Sequence, residues 1–230
     1  MITVYGEYLT RNRACIVLNG VVKNYDELKK IILSKNYSTV IGIDGGANHL
    51  YKMGLVPECI VGDLDSIESE VLDYFSEKGT EFHKYPTKKN ETDSELGIKM
   101  AMEKENMCID FYAALGGRID HELANIGLLY YSLKKDLYPR IITETEDIYI
   151  LENDELTIEG EVGDLVSVIP YKGDAKGVSL RGLEYPLNEF DMEYSTPRGI
   201  SNVMIDTICE INVNQGCLLV VKFKNNIVND

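Results

Sequence analysis

The first part of the chain alternates short apolar runs with stretches whose apolar residues recur at helical spacing. The runs predict buried strands, and the amphipathic stretches between them predict helices. Candidate strands are 15–18, 39–43, 59–61, 81–85 and 109–115, and candidate helices are 26–33, 68–78, 94–106 and 120–133. This alternation indicates βαβ units and a mostly parallel, Rossmann-like sheet covered on both faces.

From about residue 147 the pattern changes to short apolar runs separated by Gly, Asn or Asp, without helical periodicity. Many short strands at this spacing are typical of an antiparallel sandwich or a barrel-like domain. We therefore predict an α/β domain at residues 1–145 and an all-β sandwich domain at residues 146–230.

The composition narrows the class of protein. Of the 230 residues, 44% are hydrophobic, and no apolar run approaches the roughly 20 residues of a membrane helix. The beginning of the chain lacks a basic segment followed by an apolar one, so we expect no secretory signal. Five scattered cysteines without a CxxC pair indicate reduced, buried thiols in a cytoplasmic protein. A formal net charge of −15 argues against nucleic acid or an anionic membrane as a partner, but not against a nucleotide held through a metal ion.

Acidic turns follow several of the predicted strands. The carboxylates just after these strands are Asp44, Asp63, Asp65 and Asp120. Open α/β sheets bind ligands at the carboxyl ends of their strands, so these side chains are expected to converge. One such turn alone would be ordinary turn chemistry. Their repetition predicts Mg²⁺ held against an anionic substrate, because Mg²⁺ combines one or two carboxylates with waters and phosphate oxygens.

Further groups near these turns could serve the same site. Asp93 lies in a capping box formed by Thr92 and Glu95. A carboxylate at a helix start can hold a metal ion while the helix amides face phosphate. Arg118 is a bidentate phosphate donor, and Asp120 could alternatively be only an N-cap.

Other residues are candidates for binding phosphate, either because they leave room for it or because they carry positive charge. Gly45 and Gly46 would let a ligand approach the backbone, since glycine has no Cβ. Lys89 could supply positive charge. The helix that starts near Asp120 is expected to bury Leu123, Ala124, Gly127 and Leu128. The sequence lacks a P-loop and a GxGxxG motif, so a nucleotide site would be of another type.

The order of these motifs resembles the thiamine pyrophosphokinases of the bacterial type. The shared motifs are DGGAN at 44–48, GDLDS at 62–66, TD at 92–93, GGRIDH at 116–121 and LAN at 123–125. An all-β tail follows, with GVSLRGLEYPL at 177–187 and GISN at 199–202. The similarity runs in order from about Cys15 to the end of the chain.

The resemblance implies an ATP-dependent transferase that moves pyrophosphate from ATP to the hydroxyl of thiamine, giving thiamine diphosphate and AMP. It also implies an ATP-binding α/β domain, a thiamine-binding β-sandwich and a homodimer with active sites at the subunit interface. By the same resemblance, Mg²⁺ would be bound by Asp63, Asp65 and Asp93, with Asp44 and Asp120 completing the acidic site. The phosphates would be faced by Lys89, Arg118 and Asn125, and thiamine would be held by Ser201 and Asn202.

Two positions depart from the pattern of the family. Asn90 stands where many relatives have Asp, which removes one possible metal-site charge, and Val203 stands where many have Glu. The residues themselves leave two other functions open. One is another Mg²⁺-dependent nucleotide pyrophosphotransferase or phosphohydrolase with the same carboxylates, and the other is a non-catalytic nucleotide or thiamine sensor.

Overall fold

The computed structural model describes residues 3–4, 12–85 and 91–224. In chain order its strands are β1 Thr3–Val4, β2 Arg13–Val17, β3 Thr39–Ile43, β4 Cys59–Gly62, β5 Glu81–Lys84, β6 Cys108–Tyr112, β7 Tyr138–Ile142, β8 Glu146–Glu152, β9 Glu155–Glu159, β10 Leu165–Arg181, β11 Leu187–Met192, β12 Asn202–Val203 and β13 Ile208–Phe223. Its helices are α1 Tyr25–Leu33, α2 Gly46–Met53, α3 Ser69–Glu77, α4 Asp93–Glu103 and α5 Ile119–Leu133. These elements form two compact units, one of residues 12–144 and one of residues 145–224 together with β1.

The first unit contains a parallel sheet with the strand order β7-β6-β2-β3-β4-β5. Strands β2 to β5 follow one another in sequence order across one half of the sheet. Strands β6 and β7 then lie on the other side of β2. The strand order therefore reverses beside β2. In open α/β sheets the carboxyl ends of the strands at such a reversal form the ligand crevice.

Helices cover both faces of this sheet because each carries an apolar side. On one face α2 and α3 bury Leu50 and Phe75, and Gly42 of β3 faces Leu50. Successive residues of a strand point to opposite faces, so the next residue, Ile43, faces α4. A Cβ on Gly97 of α4 would lie only 2.5 Å from Ile43 Cδ1. Glycine at position 97 therefore allows α4 to pack closely on the sheet.

Most predicted elements of this unit agree with the structure to within a few residues, the level at which element ends vary. Two elements were missed. α2 begins at the Gly45–Gly46 pair, which favours a turn because glycine is a poor helix former. β7 contains Pro139 and Arg140, and proline weakens a strand pattern.

The described part of the second unit contains strands and no helix. Its central strand, β13, pairs antiparallel with β10 on one side and with β8 and β9 on the other. Alternating residues such as Val166, Val168 and Val220 lie in one apolar core. β1 pairs in parallel with β9, so Thr3–Val4 extends this sheet, whereas the sequence analysis grouped all of residues 1–145 in the α/β domain. A short extended segment can pair wherever a strand leaves an edge open.

β10 and β13 are longer than the sequence analysis predicted. Each was interpreted as two short strands because glycines interrupt the apolar pattern. In the structure β10 continues through a register shift between Tyr171 and Lys176, near Gly173 with a φ of 155° and Gly177 with a φ of 64°. These glycines bend the strand without ending its pairing.

The five cysteines are all buried and free of disulfides, as predicted. Burial raises the pKa of the Cys15 thiol well above its usual value, so this thiol remains protonated at neutral pH. Among the described residues, no helix is both long and apolar enough to cross a membrane.

Candidate active site

The carboxyl ends of β2, β3, β4 and β6 and the first turns of α4 and α5 border a cleft of about 1160 Å³. This cleft is lined by the acidic candidates and by two of the phosphate-binding candidates, namely Asp44, Asp63, Asp65, Asp93, Asp120, Arg118 and Asn125. Lys89 and Asn90 lie outside the described residues. The lining residues border one cleft because parallel strands place their carboxyl ends at one edge of the sheet.

Asp44 occupies a tightly packed position directly after β3. Its φ is 45°, in the left-handed region, and any Cβ on Gly62 would overlap the Asp44 carboxylate. The amide of Leu64 donates to Asp44 Oδ1 at 3.4 Å. Burial, followed by the nearby carboxylates of Asp93 and Asp63, raises the pKa of Asp44 to about 6. The fold therefore holds several carboxylates close together in a partly buried place.

The acidic turn after β4, residues 62–66, is held in place from α2. The amide of Asp65 donates to Asp63 Oδ1 at 3.1 Å, which closes an Asx turn. Asn48 donates from Nδ2 to Ser66 O at 3.0 Å and accepts at Oδ1 from the amide of Glu68 at 3.1 Å. This role of Asn48 was not predicted, although the position of Asn48 in the DGGAN motif was a usable signal.

The N-terminus of α4 borders the same cleft. The predicted capping box is confirmed, because Thr92 Oγ1 accepts from the amide of Glu95 at 3.2 Å and Glu95 Oε2 accepts from the amide of Thr92 at 2.7 Å. Asp93 is the first residue of the helix and lines the cleft with its neighbours. The partial positive charge of the helix start thus lies next to the acidic residues.

The donor set of the cleft suits Mg²⁺ shared with phosphate. Within residues 12–85 and 91–224, no three His, Cys, Asp or Glu side chains stand close enough to enclose a metal ion. Mg²⁺ does not require such a cage, since it is bound through one or two carboxylates, phosphate oxygens and waters. Burial, and after it the nearby Asp93 carboxylate, raises the pKa of Asp44, and a hard cation relieves this kind of repulsion between carboxylates.

Arg118 and Asp120 form an exposed, bidentate ion pair at the start of α5. Arg118 Nε donates to Asp120 Oδ1 at 3.1 Å, and Arg118 Nη2 donates to Asp120 Oδ2 at 2.6 Å. These hydrogen bonds hold the pKa of Asp120 below its usual range. Asp120 is not the N-cap, because α5 starts one residue earlier and Arg118 takes the cap position without a side-chain bond. A phosphate that binds the guanidinium must share or replace the Asp120 contact.

Gly45 and Gly46 are buried and do not line the cleft. A Cβ on Gly46 would overlap the carbonyl oxygen of Val17, and a Cβ on Gly45 would overlap the side chain of Asn19. The space of the missing Cβ atoms is thus occupied by Val17 of β2 and by Asn19 in the loop that follows, and ligand binding by Gly45 and Gly46 stays a prediction. Their role is to let α2 start directly against the sheet.

The buried side of α5 differs from the expected one. Leu123 and Ala124 are exposed, whereas Leu128 and Leu129 are buried. Ala124, Gly127 and Leu128 all line the cleft. The expectation of a helix side packed on the sheet was wrong for Leu123 and Ala124, because that part of α5 adjoins open space.

Two side chains fix the loops at the ends of β2 and β6. Asn125 Nδ2 donates to Ala114 O at 2.7 Å. His49 Nε2 lies 2.9 Å from Gly20 O, and because a carbonyl only accepts, Nε2 carries the proton. His49 Nδ1 then accepts from the Tyr25 hydroxyl at 2.8 Å, and burial lowers the pKa of His49. Sequence reasoning missed this role of His49, since a lone histidine carries little pattern.

In the second unit, Asn202 is buried, and its side chain forms hydrogen bonds with backbone groups of the same chain. Its Oδ1 accepts from the amides of Tyr185 and Val203, both at 3.0 Å, and its Nδ2 donates to Tyr185 O at 2.8 Å. Ser201 is exposed with a φ of 57°, and its amide donates to Ser167 Oγ at 3.0 Å. Of the two predicted thiamine-binding residues, Ser201 has the exposed side chain, and Asn202 fixes the turn at Tyr185.

Comparison with known proteins gives one family for both units. Residues 32–140 match the catalytic domain of thiamin pyrophosphokinase, and residues 151–218 match its vitamin B1 binding domain. Thiamine pyrophosphokinase of Bacillus subtilis (strain 168) is 31% identical over 183 residues, covering 79% of this chain and 86% of that protein. Thiamine pyrophosphokinase 2 of rice, Oryza sativa subsp. japonica, is 30% identical over 70% of this chain and 69% of that protein.

Solved structures agree with this assignment. The crystal structure of the Bacillus subtilis thiamine pyrophosphokinase superposes with a TM-score of 0.82 at 27% identity, covering 93% of this chain and all of the other. Yeast thiamin pyrophosphokinase superposes with a TM-score of 0.80 over 97% of this chain at 17% identity, which shows a shared fold. The chain belongs to the thiamine pyrophosphokinase family.

Proposed function

We propose that the cleft of the first unit is where this enzyme transfers pyrophosphate from ATP to the hydroxyl of thiamine, giving thiamine diphosphate and AMP. The observation that carries the proposal is the set of five aspartates and Arg118 around one cleft, at the carboxyl ends of parallel strands. In this proposal the first unit is the ATP-binding and Mg²⁺-binding α/β domain. The second is a β-sandwich domain that binds thiamine and forms the dimer contact.

Asp63, Asp65 and Asp93 would hold Mg²⁺, with Asp44 and Asp120 completing the acidic site. When bound, Mg²⁺ would neutralise charge on the transferred pyrophosphate. Asp63 and Asp65 are presented by the braced turn after β4, and Asp93 is presented by the capping box of α4. These carboxylates are therefore positioned by contacts within the chain before any ligand binds.

Arg118, Asn125 and Lys89 would face the phosphates. Transfer of this type depends on alignment and charge neutralisation more than on covalent help from the protein. The planar guanidinium of Arg118 can bind two phosphate oxygens at once, and Asp120 keeps it oriented until the phosphate arrives. Asn125 also holds the end of β6 through Ala114, so it supports the same wall of the cleft.

Thiamine carries a positive charge, which suits a site rich in carboxylates. Ser201 would contact thiamine directly through its exposed side chain. Asn202 would act through the turn that it fixes, because its polar side-chain atoms already bond to Tyr185 and Val203.

Product analysis tests the proposal. The protein is incubated with Mg²⁺-ATP, with and without thiamine, and AMP and thiamine diphosphate are quantified. We expect both products in equal amounts, and only when thiamine is present. Thiamine-independent release of phosphate would instead identify a phosphohydrolase, and binding without products would identify a sensor.

The homodimer with shared sites has its own test. An Asp65→Asn chain is mixed with a Ser201→Tyr chain, each poorly active alone. If each site uses residues of two subunits, exchanged dimers contain one intact site and activity partly returns. Absence of recovery despite measured subunit exchange would show that each site is built within one chain.

A further inference from the structure

The chain that leaves β2 forms one border of the cleft. We call residues 18–21 the β2 loop, and all four of them line the cleft. Its backbone amides are held by the segment that follows β6. The amide of Gly20 donates to Ala113 O at 2.7 Å, and the amide of Val21 donates to Leu115 O at 2.8 Å. A Cβ on Gly20 would overlap both acceptor oxygens, so glycine lets the loop lie directly against that segment.

The carbonyl group of Gly20 is held by a different element, the helix α2. His49 Nε2 lies 2.9 Å from Gly20 O, and His49 Nδ1 lies 2.8 Å from the Tyr25 hydroxyl. Burial lowers the pKa of His49, so its imidazole is neutral at neutral pH. A neutral imidazole has one donor and one acceptor nitrogen. The Tyr25 hydroxyl, by donating to Nδ1, thus favours the tautomer in which Nε2 donates to the loop.

We propose that His49, with its tautomer set by Tyr25, is a positioning residue that holds the β2 loop at the border of the cleft and so sets the affinity for ATP. The inference rests on the proposed function. Neither His49 nor Tyr25 lines the cleft, so both act through the position of Gly20.

The composition of the β2 loop indicates which kinetic constant depends on it. The loop consists of Leu, Asn, Gly and Val, and none of these side chains is titratable. The loop can therefore contact bound ATP, but it supplies no charge to the pyrophosphate group during transfer. A contact that is equally strong before and during the reaction contributes to KM and leaves kcat unchanged.

The test is steady-state kinetics of thiamine diphosphate formation by the full chain. His49→Leu removes both nitrogen contacts, His49→Gln keeps an N–H donor at similar reach, and Tyr25→Phe removes only the hydroxyl. Tyr51→Phe is the matched control. Tyr51 lies on the same helix, does not line the cleft, and donates its hydroxyl to Glu70 Oε1 at 2.8 Å, so this variant loses a hydrogen bond of α2 that does not involve the loop. Circular dichroism and thermal melting report on folding.

We expect His49→Leu to raise the KM for ATP about three- to tenfold, the factor that corresponds to one lost hydrogen bond, with kcat within about twofold of the parent. His49→Gln should return the KM to within about twofold of the parent, because its amide can donate to Gly20 O. Tyr25→Phe should give an intermediate KM, and Tyr51→Phe should leave the KM unchanged.

Nitrogen-15 NMR of the imidazole rings measures the tautomer directly, a property that a purely structural role for Tyr25 would not change. The chain has three histidines, so the signals lost in His49→Gln identify those of His49. We expect the proton on Nε2 in the parent and a mixture of both tautomers in Tyr25→Phe.

An unchanged KM for ATP in folded His49→Leu would overturn the inference, while activity of the parent would leave the proposed function standing. A His49→Gln variant as impaired as His49→Leu, or a loss of kcat at unchanged KM, would also overturn it. If His49→Leu does not fold, Tyr25→Phe decides, and an unchanged KM together with an unchanged tautomer contradicts the proposal. If the parent forms no thiamine diphosphate, the proposed function fails and the inference fails with it.

Discussion

The acidic turn after β4 and the Arg118–Asp120 pair lie in the same cleft but are supported in opposite ways. The turn is tied to the rest of the fold, since Asn48 bonds to Ser66 and Glu68 and the amide of Leu64 bonds to Asp44. Arg118 and Asp120 are exposed on 73% and 60% of their side chains, and the hydrogen bonds described for them join them to each other.

This difference separates two kinds of functional group. The conformation of the turn is fixed by hydrogen bonds to other parts of the chain. Substitutions of the residues that form these bonds should therefore affect both stability and turnover. An exposed ion pair contributes little to stability, since solvent screens its charges. Changes in the Arg118–Asp120 pair should therefore affect ligand binding without affecting the fold.

The largest expected effect is on turnover at the braced carboxylates. Asp65→Asn and Asp93→Asn should each lower kcat about 10²–10³-fold, by analogy with the loss of one strong electrostatic contact in a transition state. Steady-state kinetics over a range of Mg²⁺ concentrations measures this. Asp73→Asn, on the exposed side of α3, is the matched control and should be unaffected. Normal kinetics at limiting Mg²⁺ in both site variants would remove these residues from the metal site.

Arg118→Ala should raise the KM for ATP about 10- to 100-fold, as expected for lost charge-assisted hydrogen bonds, and should change thiamine use much less. Arg118→Lys should not restore binding, because lysine lacks the planar fork. The melting temperature should stay within about 1 °C of the parent, as for Arg181→Ala at the exposed Arg181–Glu210 pair. Equal losses for both substrates would argue against a phosphate role.

Asn48→Ala tests the bracing of the acidic turn from α2. Loss of its two hydrogen bonds should lower the free energy of unfolding by about 1–3 kcal/mol and kcat by about tenfold. Thermal melting and kinetics measure the two effects, with the exposed Asn36→Ala as the control. A stable variant with normal turnover would show that the turn keeps its shape without Asn48.

Asp44→Asn should stabilise the metal-free protein while lowering its activity. The pKa of Asp44 is raised to about 6, so ionised Asp44 destabilises the fold above its unfolded pKa of about 3.9. The parent should therefore lose stability as the pH rises from about 4 through 6, and the variant should not. Because Asp44 is only partly buried, we expect a gain of about 1 kcal/mol at pH 7.5, or about 2–4 °C. An equal difference at pH 4 and pH 7.5 would contradict this electrostatic origin.

The sheet of the first unit could be predicted from the sequence, because buried strands and amphipathic helices alternate there. The topology then explains why Asp44, Asp63 and Asp120 line one cleft, since each follows a strand that ends at the same edge. The full length of β10 could not be predicted from the sequence, because glycines occur both where a strand bends and where a strand ends. Only the pairing with β13 distinguishes the two cases.

Residues that act through other residues were the hardest to predict. The functions of Asn48 and His49 consist of hydrogen bonds to backbone groups far along the chain, such as Ser66 and Gly20, which no local pattern encodes. Gly45 and Gly46 have a packing role that the sequence pattern did not predict. A Cβ on Gly46 would overlap Val17 O of β2, so glycine is needed there for packing, whether or not a ligand also binds nearby.

We propose above all that an intact pyrophosphate group is transferred to thiamine in the cleft lined by the five aspartates. The most direct measurement follows ATP labelled at the γ-phosphate, with Mg²⁺ and thiamine, in the parent and in Asp65→Asn. The account predicts that the label appears in the terminal phosphate of thiamine diphosphate, with one AMP formed per labelled product, and that Asp65→Asn nearly abolishes the signal. Formation of labelled inorganic phosphate with ADP, or label transfer that is unchanged in Asp65→Asn, would contradict it.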